Sequence, residues 1–233
     1  MAFYLGDRGA HISLLDFESE ALSETCQQLE KKGIKAQAIS ADIASEGQVI
    51  SAIKTSTESL GPIYGLINNA GILRDGLLVK AKQGQVISKL PYEQWQSVIN
   101  VNLSGVFLCG REVAASMIET GIQGVIINIA SISRAGNFGQ SNYAAAKAGV
   151  VALTTTWAKE LARHGIRCAA IAPGMIATEM TQGMKPEALE KMNSAIPAGR
   201  MGSPEEIAQT ASFILENDYF NGRVLELDGG LRL

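Results

Sequence analysis

Val125-Ile-Ile-Asn-Ile-Ala130, the long amphipathic segment Asn142 to Arg163, and Arg167-Cys-Ala-Ala-Ile-Ala172 decide the fold. Two short runs, apolar almost throughout, flank a stretch long enough for a helix. That pattern reads as two parallel strands joined by a crossover helix and covered on both faces. The alternation continues in both directions. Strands are expected at His11 to Leu15, Lys35 to Ser40, Tyr64 to Ile67 and Arg223 to Leu227, and helices at Glu18 to Lys32, Ser45 to Ser59, Tyr92 to Glu119 and Pro204 to Leu215. Six strands alternating with helices imply an α/β fold, a doubly wound and mostly parallel sheet. No linker, repeat or low-complexity stretch interrupts it, so residues 1–233 read as one domain.

Two long stretches break the rhythm, Ile72 to Leu90 and Pro173 to Ser203. Both exceed an ordinary connection and both follow a strand's carboxyl end, where ligands sit in open α/β sheets. The second is expected to form a lid over residues 173–203. The first carries Arg74, Lys80, Lys82 and Lys89 against Asp75, a cationic island in a chain of net charge -3.

Composition narrows the function. Hydrophobic residues make up 46% and charged residues 18%, a balance that builds a core rather than a disordered chain. The net negative charge argues against nucleic acid as a partner. Cys26, Cys109 and Cys168 are odd in number and scattered, which fits a reducing, cytoplasmic setting better than a disulfide framework. With His11 and His164 the only histidines, no metal site is expected. Neither a secretory leader nor an apolar run of the ~20 residues that span a bilayer is read, so no membrane role is expected.

The chemistry lies in Tyr143-Ala-Ala-Ala-Lys147. Its i, i+4 spacing puts a phenol and an ammonium on one helix face. A free phenol titrates near ~10, and a neighbouring cation favours its ionised form, so such a pair can serve as acid and base near neutral pH. By itself the spacing is common, and an aromatic ring packed under a lysine stem is the plainer reading. Its surroundings add Asn128-Ile-Ala-Ser131-Ile-Ser133, Asn68-Asn69-Ala70-Gly71, Asn102 in Val-Asn-Leu-Ser-Gly-Val-Phe, Pro173-Gly174 with Thr178, and Leu227-Asp-Gly-Gly230.

In this order and over nearly the whole chain, these pieces resemble the short-chain dehydrogenase/reductase family, whose fold is Rossmann-type. Within it, the chain is most similar to bacterial 3-oxoacyl-[acyl-carrier-protein] reductases and to relatives acting on hydroxyacyl thioesters. The resemblance implies a nicotinamide-dependent conversion between a secondary alcohol and a ketone. Tyr143 would give or take the hydroxyl proton, Lys147 would lower its pKa and hold the nicotinamide ribose, and Ser131 would donate to the carbonyl oxygen. Ser133 is a second hydroxyl close by, and the choice between the two stays open. Asn102 would support a proton path behind Lys147, or else cap the helix from Leu103 onward.

For the cofactor, Asp16 at a strand end would accept the adenosine ribose diol and repel a 2′-phosphate, favouring NAD(H) over NADP(H). Asp42 with Ile43 would face the adenine edge. Both aspartates could equally cap the helices that follow them. Asn69, Ala70, Gly71, Pro173, Gly174, Ile176 and Thr178 complete the implied cofactor contacts. The resemblance also implies an assembly, a homotetramer or homodimer, through the long helices and the carboxyl-terminal strand.

One implied piece is missing. The family opens with a strand and a Thr-Gly-x-x-x-Gly-x-Gly turn at the pyrophosphate, yet no two of the 24 glycines here are two positions apart. Met1 to Gly9 resembles the second half of the helix after that turn. The expectation is therefore a chain that starts inside the first βαβ unit, lacks the usual first strand between those ending at Asp16 and Asn68, and binds NAD(H) weakly. A catalytically silent protein that keeps only its assembly surfaces is the competing reading. A serine hydrolase has less support, since no Gly-x-Ser-x-Gly elbow occurs.

Overall fold

The computed structural model describes residues 1–178 and 186–233. A short helix α1 (Ala2–Gly6) precedes β1 (Ile12–Asp16), α2 (Ser19–Lys31), β2 (Ala36–Ser40), α3 (Glu46–Leu60) and β3 (Gly65–Asn68). A hairpin follows, β4 (Val79–Lys82) and β5 (Gln85–Lys89), and then α4 (Tyr92–Ile99), which runs through a π-helical segment, Asn100–Gly105, into α5 (Val106–Thr120). The chain continues through β6 (Val125–Ile129), α6 (Ser141–Glu160), β7 (Arg167–Pro173), α7 (Pro186–Ala195), α8 (Pro204–Glu216) and β8 (Val224–Leu227).

All six expected strands and all five expected helices form, most within a residue or two of their expected limits, and the fold is the doubly wound Rossmann type. Three differences stand out. The stretch Ile72 to Leu90 is not irregular, because it contains the antiparallel β4–β5 hairpin. Pro173 to Ser203 likewise contains α7 and a parallel bridge from Ile176 to Gly202, while residues 179–185 of the expected lid lie outside the described residues. And the single helix expected over Tyr92 to Glu119 carries a π-helical segment, Asn100–Gly105, inside it; the whole, Tyr92–Thr120, is long and apolar enough to cross a membrane by length and composition. In the fold it is a core helix, with Val106, Cys109, Val113 and Met117 buried.

The parallel strands fall into two sheets, β1-β2 and β3-β6-β7-β8. β6 lies between β3 and β7 and all five of its residues are buried. Alternate side chains serve opposite layers. Ile126 joins Val113, Met117, Trp157 and Cys168 beneath α5 and α6, while Val125, Ile127 and Ile129 join Ile207, Ala211 and Ile214 of α8. Each such aliphatic side chain contributes roughly 1.5 to 3 kcal/mol of transfer free energy. α5 and α6 come very close at Gly110, where a Cβ would lie 2.5 Å from Cη2 of Trp157. α8 starts sharply because Ser203 and Glu206 form a reciprocal capping box with Pro204 in the first turn.

Between β1 and β3 lies an open cavity of about 970 Å³. Ile12 N donates to Lys35 O and Ala41 N donates to Asp16 O, so the intervening Ser13 and Leu15 direct their backbone groups away from β2 and into the opening. Across it, Val125 N donates to Tyr64 O, which turns the backbone of Gly65 and Ile67 toward the same space. No ladder joins β1 to β3. All three cysteines are free and buried.

Candidate active site

The sites of interest gather at the carboxyl ends of β3, β6 and β7. β6 delivers Ser131 just past its last residue, and a single turn of 3₁₀ helix (Ile132–Ala135) follows. Ser131 Oγ accepts from the amide of Ser133 at 3.1 Å. Its hydroxyl is close enough to the Tyr143 phenol to lower that phenol's pKa. Both serines are buried.

Tyr143 sits in the first turn of α6, half-buried. The residue before it holds that turn in place. Asn142 is fully buried, its Oδ1 accepts from Tyr143 N at 2.8 Å and its Nδ2 donates to Arg74 O at 2.9 Å. Gln140 donates to Asp75 Oδ2 at 3.0 Å, and Gly76 N donates to Gly139 O at 2.8 Å. The segment after β3 is thus laced to the loop that leads into α6. Sequence reading missed Asn142, and its only sequence signal was an asparagine in a helix's first turn.

One turn further along, Lys147 is buried. Its Nζ donates to Ile129 O at 2.7 Å and lies 5.6 Å from the centre of the Tyr143 ring. Burial lowers the Lys147 pKa from 10.5 to about 8. For Tyr143, burial raises the phenol, the Ser131 hydroxyl opposes this, and Asp75 raises it further. The expected depression of the tyrosine by the lysine is therefore not what this geometry delivers: the ammonium is bonded to β6, and desolvation dominates.

Asn102 is fully buried inside the π-helical segment. Its Oδ1 accepts from Ile72 N at 2.8 Å and its Nδ2 donates to Ile72 O at 2.9 Å, clamping the backbone just beyond Gly71. It does not cap a helix, because the helix that contains it begins ten residues earlier, at Tyr92. Deeper in the sheet, Asn68 Nδ2 donates to Asn128 Oδ1 at 2.9 Å, Asn128 Nδ2 to Thr154 Oγ1 at 2.8 Å, and Thr154 Oγ1 to Val150 O at 2.8 Å. This buried chain ties β3 and β6 to α6, and hence sets where Tyr143 and Lys147 stand.

Pro173-Gly174 meets the closing Asp228-Gly-Gly230 turn: Gly174 N donates to Leu227 O at 2.9 Å, and a Cβ on Gly174 would lie 2.7 Å from Asp228 Cα. Only glycine allows that approach. Ile176 bridges Gly202, and Thr178 is exposed. Asn69 and Ala70 line the opening after β3, and Gly71 lies against Asn102.

Across the opening, Asp16 ends β1. Its Oδ1 accepts from the amides of Phe17 at 2.7 Å and Glu18 at 3.3 Å, while Glu18 takes the cap position of α2. Asp42 accepts from Ala44 N at 2.8 Å, and Ser45, not Asp42, precedes α3. Neither aspartate is a helix cap. Ile43 turns its side chain onto Gly105 and packs with Val49, Leu108 and Cys109.

The donor set suits a nicotinamide dinucleotide at its two ends. The exposed carboxylate at the tip of β1 and the half-buried one just past β2 can accept from a ribose diol, and the buried ammonium beside the Tyr143 ring can donate to another. Between them, the glycine turns that line the opening, at Gly9 and Gly61, stand where β1 and β3 begin.

Comparison with known proteins places the chain. Residues 1–232 match the family described as enoyl-(acyl carrier protein) reductase. A 3-oxoacyl-[acyl-carrier-protein] reductase of Thermotoga maritima is 41% identical over 226 residues, 96% of this chain and 88% of the relative. A (3R)-3-hydroxyacyl-CoA dehydrogenase of Rattus norvegicus is 38% identical over 239 residues, 97% and 88% of the two chains. A solved structure from Agrobacterium tumefaciens, named as a gluconate dehydrogenase, superimposes with a TM-score of 0.89 at 34% identity, covering 99% of this chain and 89% of the other. The protein is by class an NAD(P)-dependent oxidoreductase. It belongs to the short-chain dehydrogenase/reductase family.

Proposed function

We propose that the protein interconverts 3-oxoacyl and 3-hydroxyacyl thioesters, with Tyr143 as the proton donor and acceptor, Ser131 as the oxyanion partner and NAD(H) as the favoured cofactor. The observation that carries this reading is the grouping at the end of β6 of the Ser131 hydroxyl, which lowers the phenol's pKa against burial, and the buried Lys147 ammonium, 5.6 Å from the Tyr143 ring; two hydroxyls placed so can serve one carbonyl oxygen. The names of the Thermotoga maritima and Rattus norvegicus relatives support the thioester class.

In the reductive direction, both hydroxyls donate to the ketone oxygen and polarise its carbonyl carbon. The hydride for that carbon would come from a nicotinamide when one is bound, and would return to it in the reverse direction. As negative charge gathers on oxygen, Tyr143 transfers its proton there, and the resulting phenolate lies beside the Lys147 ammonium. Burial of the phenol keeps it protonated at neutral pH, the state a proton donor needs. Lys147 would also hold the nicotinamide ribose, Asn102 would support the proton path behind it, and Asp16, Asp42 and Ile43 would face the adenosine. Asn69, Ala70, Gly71, Pro173, Gly174, Ile176 and Thr178 would border the nicotinamide. The working assembly on this reading is a cytoplasmic homotetramer or homodimer.

The test is spectrophotometric. NADH should be oxidised in the presence of a 3-oxoacyl thioester, with NADPH a poorer donor. No turnover of either carrier-bound or coenzyme A-bound thioester, with either nucleotide, sinks the proposal.

A further inference from the structure

Resting on the thioester reading, we propose that the β4–β5 hairpin is a docking surface for an acidic carrier protein that brings the acyl chain to Tyr143. The hairpin is built, not slack. Gln83 and Gly84 at its tip both have positive φ, 51° and 77°, the pairing a two-residue hairpin turn needs to follow the natural strand twist. Lys82 pairs with Gln85 to close it, and a bulge beside Lys80 and Ala81 raises its twist. At its base Leu90 N donates to Leu78 O at 3.1 Å.

No residue of either strand is covered by the rest of the chain. A free two-stranded hairpin is marginal in water, and this one exposes Leu78, Val79, Val86 and Ile87 at 67, 47, 57 and 56%. Register sorts its faces. Lys80 and Lys82 stand with Ser88 and Gln85 on one side, and Val79 and Ala81 with Lys89 and Val86 on the other. Among the described residues, none of Lys80, Lys82 and Lys89 is in an ion pair. The hairpin contains no acid, although the chain as a whole is negative.

Charge selects an acidic occupant. Its size follows from the apolar side chains: Val79, Ala81 and Val86 lie on the side away from Lys80 and Lys82, so a small anion could answer the lysines but would leave those apolar groups in water, whereas a protein body that wraps the hairpin can meet both sides. The hairpin's position fits delivery, since Arg74, Asp75 and Gly76 at its foot bond Asn142, Gln140 and Gly139 in the run leading to Tyr143.

The test uses the full 233-residue chain and a fluorescently labelled 3-hydroxyacyl carrier protein, with binding read by anisotropy at low and high salt. The parent should bind, more weakly at high salt. Lys80→Glu with Lys82→Glu should weaken binding about ten-fold or more, and Val86→Ser with Ile87→Ser should do so with less salt dependence. No binding by the parent, or unchanged affinity in both variants, overturns the proposal. So does a shift of Val86→Ser/Ile87→Ser to a smaller species in sedimentation, which would mean that a second copy of the chain covers the hairpin. Carrier binding that depends on the hairpin, without turnover of any thioester, would uphold the docking surface and defeat the proposed reaction instead.

Discussion

Lys147 holds its ammonium 5.6 Å from the ring of Tyr143 yet donates to the Ile129 carbonyl at the end of β6. The lysine is thus anchored to the strand that delivers Ser131, whose hydroxyl acts on the tyrosine phenol. Helix α6 and strand β6 are coupled at the point where the chemistry is proposed.

Tyr143→Phe removes one hydroxyl from this arrangement and leaves the ring packing intact. Turnover should fall by about 100-fold or more while the thermal midpoint stays close to the parent's. Steady-state kinetics and calorimetry check both, and retention of most activity would remove Tyr143 from its proposed role.

The lowered pKa of Lys147 fixes the sign of a pH effect. Below about pH 8 the ammonium is charged in both the folded and unfolded states, and its burial cost is present in full. Between about 8 and 10.5 the folded protein has released the proton and the unfolded chain has not. The unfolded state then binds more protons, and stability rises with pH. Lys147→Met lacks this contribution. From pH 8 to 10.5 the parent should gain on the variant by something on the order of 3 kcal/mol, read from urea midpoints along a pH series. A constant difference would mean that the lysine titrates normally.

Asp16 is expected to favour NAD(H), because its carboxylate repels a 2′-phosphate. Asp16→Ala should narrow the difference between the two nucleotides, chiefly by improving NADPH. Calorimetry measures both affinities; equal affinities in the parent would contradict the preference.

Thr154→Val keeps the shape of its side chain and deletes the hydroxyl that accepts from Asn128. A buried amide hydrogen is left without a partner, at about 1 to 3 kcal/mol. Because the same chain positions α6, activity should fall further than the loss of folded protein explains. Denaturation by urea and kcat on the same preparation separate the two effects.

Much of this was legible in the residues. Runs such as Val125 to Ala130 and Arg167 to Ala172 can be little else than buried strands, and Ser203 to Glu206 announces the start of a helix. What escaped reading depended on contacts distant in sequence. Val79 to Lys89 does alternate, but its Gln-Gly turn is a weaker signal than Asn-Gly, and its strands pair only with each other. Asn102 looked like a helix cap because a π-helical segment has the local composition of an α-helix. The pKa of Tyr143 depended on which acceptor Lys147 chose, and the spacing of the two residues says nothing about the Ile129 carbonyl. Asn142 went unnoticed because its importance comes from the carbonyl of Arg74, far back in the chain.

The pairing of β3, β6, β7 and β8 in one ladder has a mechanical meaning. Rungs of hydrogen bonds fix the spacing of the strand tips, so the segments that follow Asn68, Ile129 and Pro173 are held as if on one ruler. A substitution that shifts one tip is carried to the others, and the parts of the site mounted on them move together.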